Sequence, residues 1–220
     1  MGRALETLQS PWLALERAVV SEDLRTSHWR ISHWTDTVMS LEAAQEFCAT
    51  VTVDAHRWKW VLMAVHSAVQ GFMALALEQG NALLVMKDLV AAKWLKAHES
   101  GAPYPEDRMD FFLSLYEKVK SGEVCRYVGS KKFVPGVSHD SSMRTLNELR
   151  NGFVHFSPKV WSIELAGLPS ICLDCLDVAQ FLGWDSGTII WHDEGLSRRA
   201  QIALTVLRAE LSVISRIYDP

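Results

Sequence analysis

Apolar residues recur along most of this chain at the three- and four-residue spacing of helix faces, which predicts a succession of amphipathic helices. A first helix is expected over Leu5 to Val20, with Ser10-Pro11 at its start or at a kink. Ser27 to Trp34, rich in His and Trp, reads as a connection, and Thr35 or Asp36 then caps a helix through Thr50. The clearest periodicity runs from Asp54 to about Glu78. There Trp58, Val61, Leu62, Val65, Val69, Phe72 and Leu75 recur on one side, and Gly80-Asn81 supplies the stop. Ala82 to His98 and Asp107 to Lys120 read as two more helices, ended by Ser100-Gly101-Ala102-Pro103 and by Ser121-Gly122.

Glu123 to Val137 holds glycines, a proline and few periodic apolar positions, and reads as a loop. Ser138 or Asp140 caps the next helix, which leads to His155 and is closed by Pro158. Val160 to Leu165 alternates as a short strand does, and Gly187 to Trp191 is a second such stretch, so the pattern admits one short β-hairpin near 160–191. Leu168-Pro169 opens a helix to Leu182, and Ser197 caps a last one to Ile217. The expected fold class is all-α, an antiparallel helical bundle with additional N- and C-terminal helices. Residues 1–50 read as a helical extension and 51–220 as the main domain, together one compact unit.

Composition narrows the class. Hydrophobic residues make up 49% and charged residues 22% of the 220 positions, the balance of a soluble globular protein. Nine tryptophans promise a well-filled core with some to spare for a partner surface. A net charge of -4 argues against a sequence-blind nucleic-acid binder, while leaving room for a small basic site. Arg144 and Arg150 near one helix end, Lys131-Lys132 and Arg198-Arg199 are the candidates; for the two pairs, solvated surface charge is the plainer reading. No segment has the order of a signal peptide, and His66, Ser67 and Gln70 interrupt the most apolar run, so no membrane partner is expected. Cysteines at 48, 125, 172 and 175 show no disulfide spacing, which fits a reduced, cytoplasmic protein.

The chemistry concentrates in Glu148-Leu149-Arg150-Asn151-Gly152-Phe153-Val154-His155-Phe156. Arginine holds a phosphate through paired hydrogen bonds, and histidine moves protons near neutral pH. On a helix Asn151 and His155 share a face, whereas Arg150 points about 140° from His155 and must reach round. In RNA cleavage such a histidine takes the 2′-hydroxyl proton or gives one to the leaving 5′-oxygen. The arginine stabilises the charge gathering on phosphorus, and the asparagine orients either group. The plainer alternative pairs Arg150 with Glu148 or a neighbouring helix and leaves His155 to cap carbonyls.

Arg150-Asn151, three intervening residues and His155 resemble the Arg-x4-6-His signature of the HEPN superfamily, in which a polar residue often follows the arginine. Trp58-Lys59-Trp60 with His66, Ala68 and Gln70 also looks like the first helix of some HEPN bundles, and the resemblance spans Asp54 to about Leu182. It implies a bundle that forms a homodimer with two motifs facing across a cleft. It further implies a metal-independent endoribonuclease acting on an RNA substrate, with no cofactor, in a toxin–antitoxin, phage-defence or RNA-processing setting. Arg150, Asn151 and His155 would be the catalytic set, and an antitoxin protein a possible partner. Some HEPN toxins carry a tyrosine two positions after the histidine; Ser157 stands there, so regulation through that tyrosine is not carried over. The competing expectation is a non-catalytic helical module of the same fold that binds a nucleotide, an RNA or a protein.

Other residues read as structural. Cys172 and Cys175 lack a second CxxC and fit helix packing. His28, Trp29, His33 and Trp34 make a poor closed metal site, and His192-Asp193-Glu194 reads as a surface turn. His66 is expected as a hydrogen-bonded core or interface residue, with access to the cleft the less expected outcome. There is no phosphate-binding Gly-rich loop with lysine, no G-x-S-x-G and no H-E-x-x-H.

Overall fold

The computed structural model describes residues 28–125, 127–155, 158 and 160–218, and every regular element among them is helical. The chain divides into two compact units, Met1–Ser32 and His33–Pro220. In the first unit, residues 28–32 are without helix and exposed. The expected helix over Leu5 to Val20 lies outside the described residues, as does Ser157.

In the second unit, α1 (His33–Cys48) is followed by α2 (Trp58–Glu78), which a short 3-10 turn over Ala55–Arg57 leads into. The carboxylate of Asp54 accepts the backbone N–H of His56 at 3.0 Å and so starts that turn. Then come α3 (Asp88–Ser100), α4 (Phe112–Lys120), α5 (His139–Val154), α6 (Leu168–Gln180), which runs into a π-helical turn at Phe181–Asp185, and α7 (Glu194–Tyr218). The predicted face of α2 is the centre of the core: Trp58, Val61, Leu62, Val65, Val69, Phe72 and Leu75 are all buried, against α1, α4, α5 and α6. It is the one described helix long and apolar enough to cross a membrane, and its neighbours cover most of it.

The unit begins at His33 and not at residue 51, because Val38, Leu41, Ala44 and Cys48 of α1 belong to the same core. Helices α1 and α2 meet where Gly71 offers no side chain to Thr37, which is itself buried.

Several boundaries differ from expectation for one reason, long-range pairing. Residues 82–87 are not helical: Ala82 adopts φ 53°, Asp110 donates its N–H to Val85 at 2.8 Å, and Met86 bridges Met109. Those bonds delay α3 to Asp88 and α4 to Phe112. The π-turn carries α6 beyond Leu182, and α7 starts at Glu194 and not at Ser197, capped by Asp193, whose carboxylate accepts the N–H groups of Gly195 and Leu196. No strand forms at 160–165 or 187–191, so the β-hairpin is absent there. The apolar side chains of these stretches anchor loops onto helices instead. Trp161 packs on Phe153 of α5, and Trp191 packs on Trp34 of α1 and Phe72 of α2.

Candidate functional site

Helix α5 turns Ser142, Met143 and Leu146 into the core. This leaves Asn147, Arg150 and Asn151, spaced i, i+3 and i+4, together on one flank. All three line a cleft of about 320 Å3, with His66 and Gln70 from α2 and the segment Asp110 to Leu113 opposite. Two of the three predicted site residues, Arg150 and Asn151, are therefore in a cleft together, and they touch: Arg150 Nη1 donates to Asn151 Oδ1 at 2.9 Å.

His155 is not among the residues lining that cleft. It follows the last turn of α5, its backbone N–H bonded to the Asn151 carbonyl at 2.9 Å and its side chain exposed. Among the described residues its ring caps no carbonyl and pairs with no carboxylate. The arginine does not take up the predicted pairing with Glu148 either, which is exposed.

The histidine that does enter the cleft is His66. It is 2% exposed, stacks on Phe112 with ring centres 4.0 Å apart, and places Nε2 3.3 Å from Asn147 Oδ1. Its Nδ1 is buried with no partner. A proton on Nδ1 would be an unsatisfied buried donor, so the proton belongs on Nε2 and donates to the Asn147 carbonyl oxygen. Burial pushes the His66 pKa from 6.5 down to about 4; the Asn147 bond opposes the shift and the nearby Arg150 charge adds to it. His66 is thus a neutral, fixed ring at ordinary pH. Sequence reasoning ranked it low because a lone histidine in an apolar helix carries no local sign of a partner 81 positions away.

Across the cleft, each oxygen of Asp110 already accepts one hydrogen bond. Oδ1 accepts the Phe111 N–H at 2.9 Å, and Oδ2 accepts Lys118 Nζ at 2.8 Å. Gln70 directs its amide to the Met109 sulfur at 3.8 Å. A second, apolar groove of about 580 Å3 lies on the other side of the α5 end, lined by Trp58, Trp60, Phe153 and Trp161 among others.

The remaining candidates are structural. Cys172 and Cys175 are free, buried thiols whose ionisation burial opposes. His33 pairs with Glu78 at 2.6 Å, and Arg199 of the basic pair is held by both oxygens of Glu42 at 2.8 and 2.7 Å. A cluster unseen in the sequence, His139, Asp174 and Asp177, gathers three ligand-type atoms within 4.8 Å. Asp177 is already bonded to Arg208 and Asp174 to Ser142, so internal partners account for it. Compared with family models, curated proteins and solved structures, the chain matches none.

Proposed function

We propose that this protein is a metal-independent endoribonuclease of HEPN type. In this reading Arg150 and Asn151 bind the scissile phosphodiester, and His155, one helical turn further on, moves the proton. The observation that carries it is that Arg150 and Asn151 stand in a cleft on one flank of α5, and His155 follows the helix end, exposed and with no ring partner among the described residues. The 2′-oxygen attacks phosphorus as its proton leaves, the bond to the 5′-oxygen breaks, and a 2′,3′-cyclic phosphate and a 5′-hydroxyl remain. Arg150 offsets the negative charge that builds on the phosphoryl oxygens. A homodimer bringing a second α5 face to the first would supply the proton donor and acceptor from two histidines. Toxin or phage-defence use, with an antitoxin as partner and a cytoplasmic setting, belongs to the same proposal.

The position of His155 outside the cleft favours one alternative, a non-catalytic module that holds a nucleotide, an RNA end or a protein through Arg150 and Asn151 alone. Cleavage separates the two readings. Wild-type protein in EDTA should cut total RNA or tRNA, leaving 2′,3′-cyclic phosphate ends. His155→Ala and Arg150→Ala should each lose at least about 100-fold in rate with helix content intact. Cutting that survives both substitutions sinks the assignment, and binding without cutting by wild type selects the module.

A further inference from the structure

On the α5 flank of the cleft, the polar groups left open to a ligand are donors. The Asn151 carbonyl oxygen is taken by Arg150 Nη1 at 2.9 Å, and the Asn147 carbonyl oxygen faces His66 Nε2 at 3.3 Å. An amide whose oxygen is held turns its NH2 group the other way. Asp110, the one carboxylate lining the cleft among the described residues, is paired with Lys118 and accepts the Phe111 N–H, which offsets its charge. What α5 leaves for a ligand is a set of donors, two asparagine NH2 groups and the unused N–H bonds of Arg150, while Gln70 across the cleft keeps its carbonyl oxygen as an acceptor. Donors converging from one helix flank suit an oxyanion, and an arginine fork beside neutral amides suits a tetrahedral one.

We propose that Asn147 and Asn151, with Arg150, form a phosphoryl-oxygen subsite, and that His66 is a positioning residue that holds Asn147 in its donating orientation. The inference deepens the functional reading above and rests on it for the identity of the natural ligand. It adds a second asparagine and a buried histidine to the predicted set. His66 suits the role because its ring is locked on Phe112 and its one proton has a single direction in which to go.

The test uses the full-length protein, 15N-labelled, titrated with inorganic phosphate at constant ionic strength against chloride, reading the side-chain NH2 signals of Asn147 and Asn151. Both should shift saturably. Asn147→Ala should weaken phosphate binding about tenfold, the loss of a hydrogen bond to a charged group, and Asn147→Asp should abolish it. His66→Phe, which keeps the stack on Phe112 but has no donor, should weaken binding to the same degree. His66→Gln, which restores an N–H, should stay within about twofold of wild type. A packing role for His66 predicts the opposite order, with the Phe variant binding normally and the Gln variant failing. If the His66 variants do not fold, the two Asn147 variants decide. No saturable shift in wild type, or unchanged affinity in Asn147→Asp, overturns the subsite. Phosphate binding that depends on Asn147 in a protein that cuts no RNA would refute the nuclease reading and leave the subsite standing. RNA cleavage at normal rate by Asn147→Ala with unaltered phosphate affinity would do the reverse.

Discussion

His66 links stability to pH in a way that follows from its surroundings. The ring is buried under Phe112 and shares its cleft with the Arg150 charge, while the carboxylate lining the cleft, Asp110, is bound to Lys118. Protonation would place a cation beside a cation and leave a second N–H without an acceptor. Its folded-state pKa is therefore lowered from 6.5 to about 4. Between those values the unfolded chain binds the proton and the native protein does not. Stability is thus complete above the unfolded value and falls as pH drops through this window, by up to about 3 kcal/mol for the whole interval. Urea midpoints taken from pH 7 to pH 4.5 for wild type and His66→Phe should diverge, with wild type losing more stability on acidification. Parallel curves would show that His66 titrates normally.

The helices themselves vary in how openly the sequence declares them. The core face of α2 was legible because seven apolar residues repeat at helical spacing over one long run, and the fold buries all seven. Residues 82–87 misled because their local pattern is helical, whereas their backbone is claimed by residues 108–110, a pairing no local window contains. The same limit hid the cleft. Arg150 and Asn151 stood out as a motif, but His66 and Asn147 became a pair only when α2 met α5. The contact of α1 with α2 was equally silent, since Gly71 within a helix looks like a plain weakness. A Cβ at this position would overlap Thr37 Oγ1 and stand 2.9 Å from Thr37 Cβ. Thr37 is buried, β-branched and tied by its hydroxyl to the His33 carbonyl at 2.6 Å, so it has little freedom to yield. Gly71→Ala should destabilise the protein by about 1–3 kcal/mol despite alanine's better helix propensity, read as a lower Tm or urea midpoint. An unchanged or higher midpoint would mean that α1 shifts freely.

Charge across the protein as a whole sets how it would meet a polyanion. With a net charge of -4, attraction must be local, and part of the cationic complement is already paired. Lys118 is held by Asp110 and Asp88, Lys120 by Glu117 and Asp140, Arg199 by Glu42, and Arg208 by Asp177. Exposed Lys131 and Lys132 border a different groove, beside Phe133 and Phe181, and do not line the His66 cleft. Arg150 is the one cationic side chain among the described residues that lines this cleft, with neutral asparagine amides beside it. Recognition built this way neutralises one or two phosphates per cleft, so few counterions are released on binding. For single-stranded RNA, affinity should then fall by less than about tenfold between 50 and 200 mM salt. A basic-surface binder making six to ten contacts would lose about 1,000-fold or more over the same range. Fluorescence anisotropy of a short labelled RNA on the His155→Ala variant, which removes cleavage from the measurement, gives the slope directly. A steep slope would place the main contact surface on the exposed lysines and arginines, away from α5, and would take the phosphate-handling role from Arg150 and its asparagines.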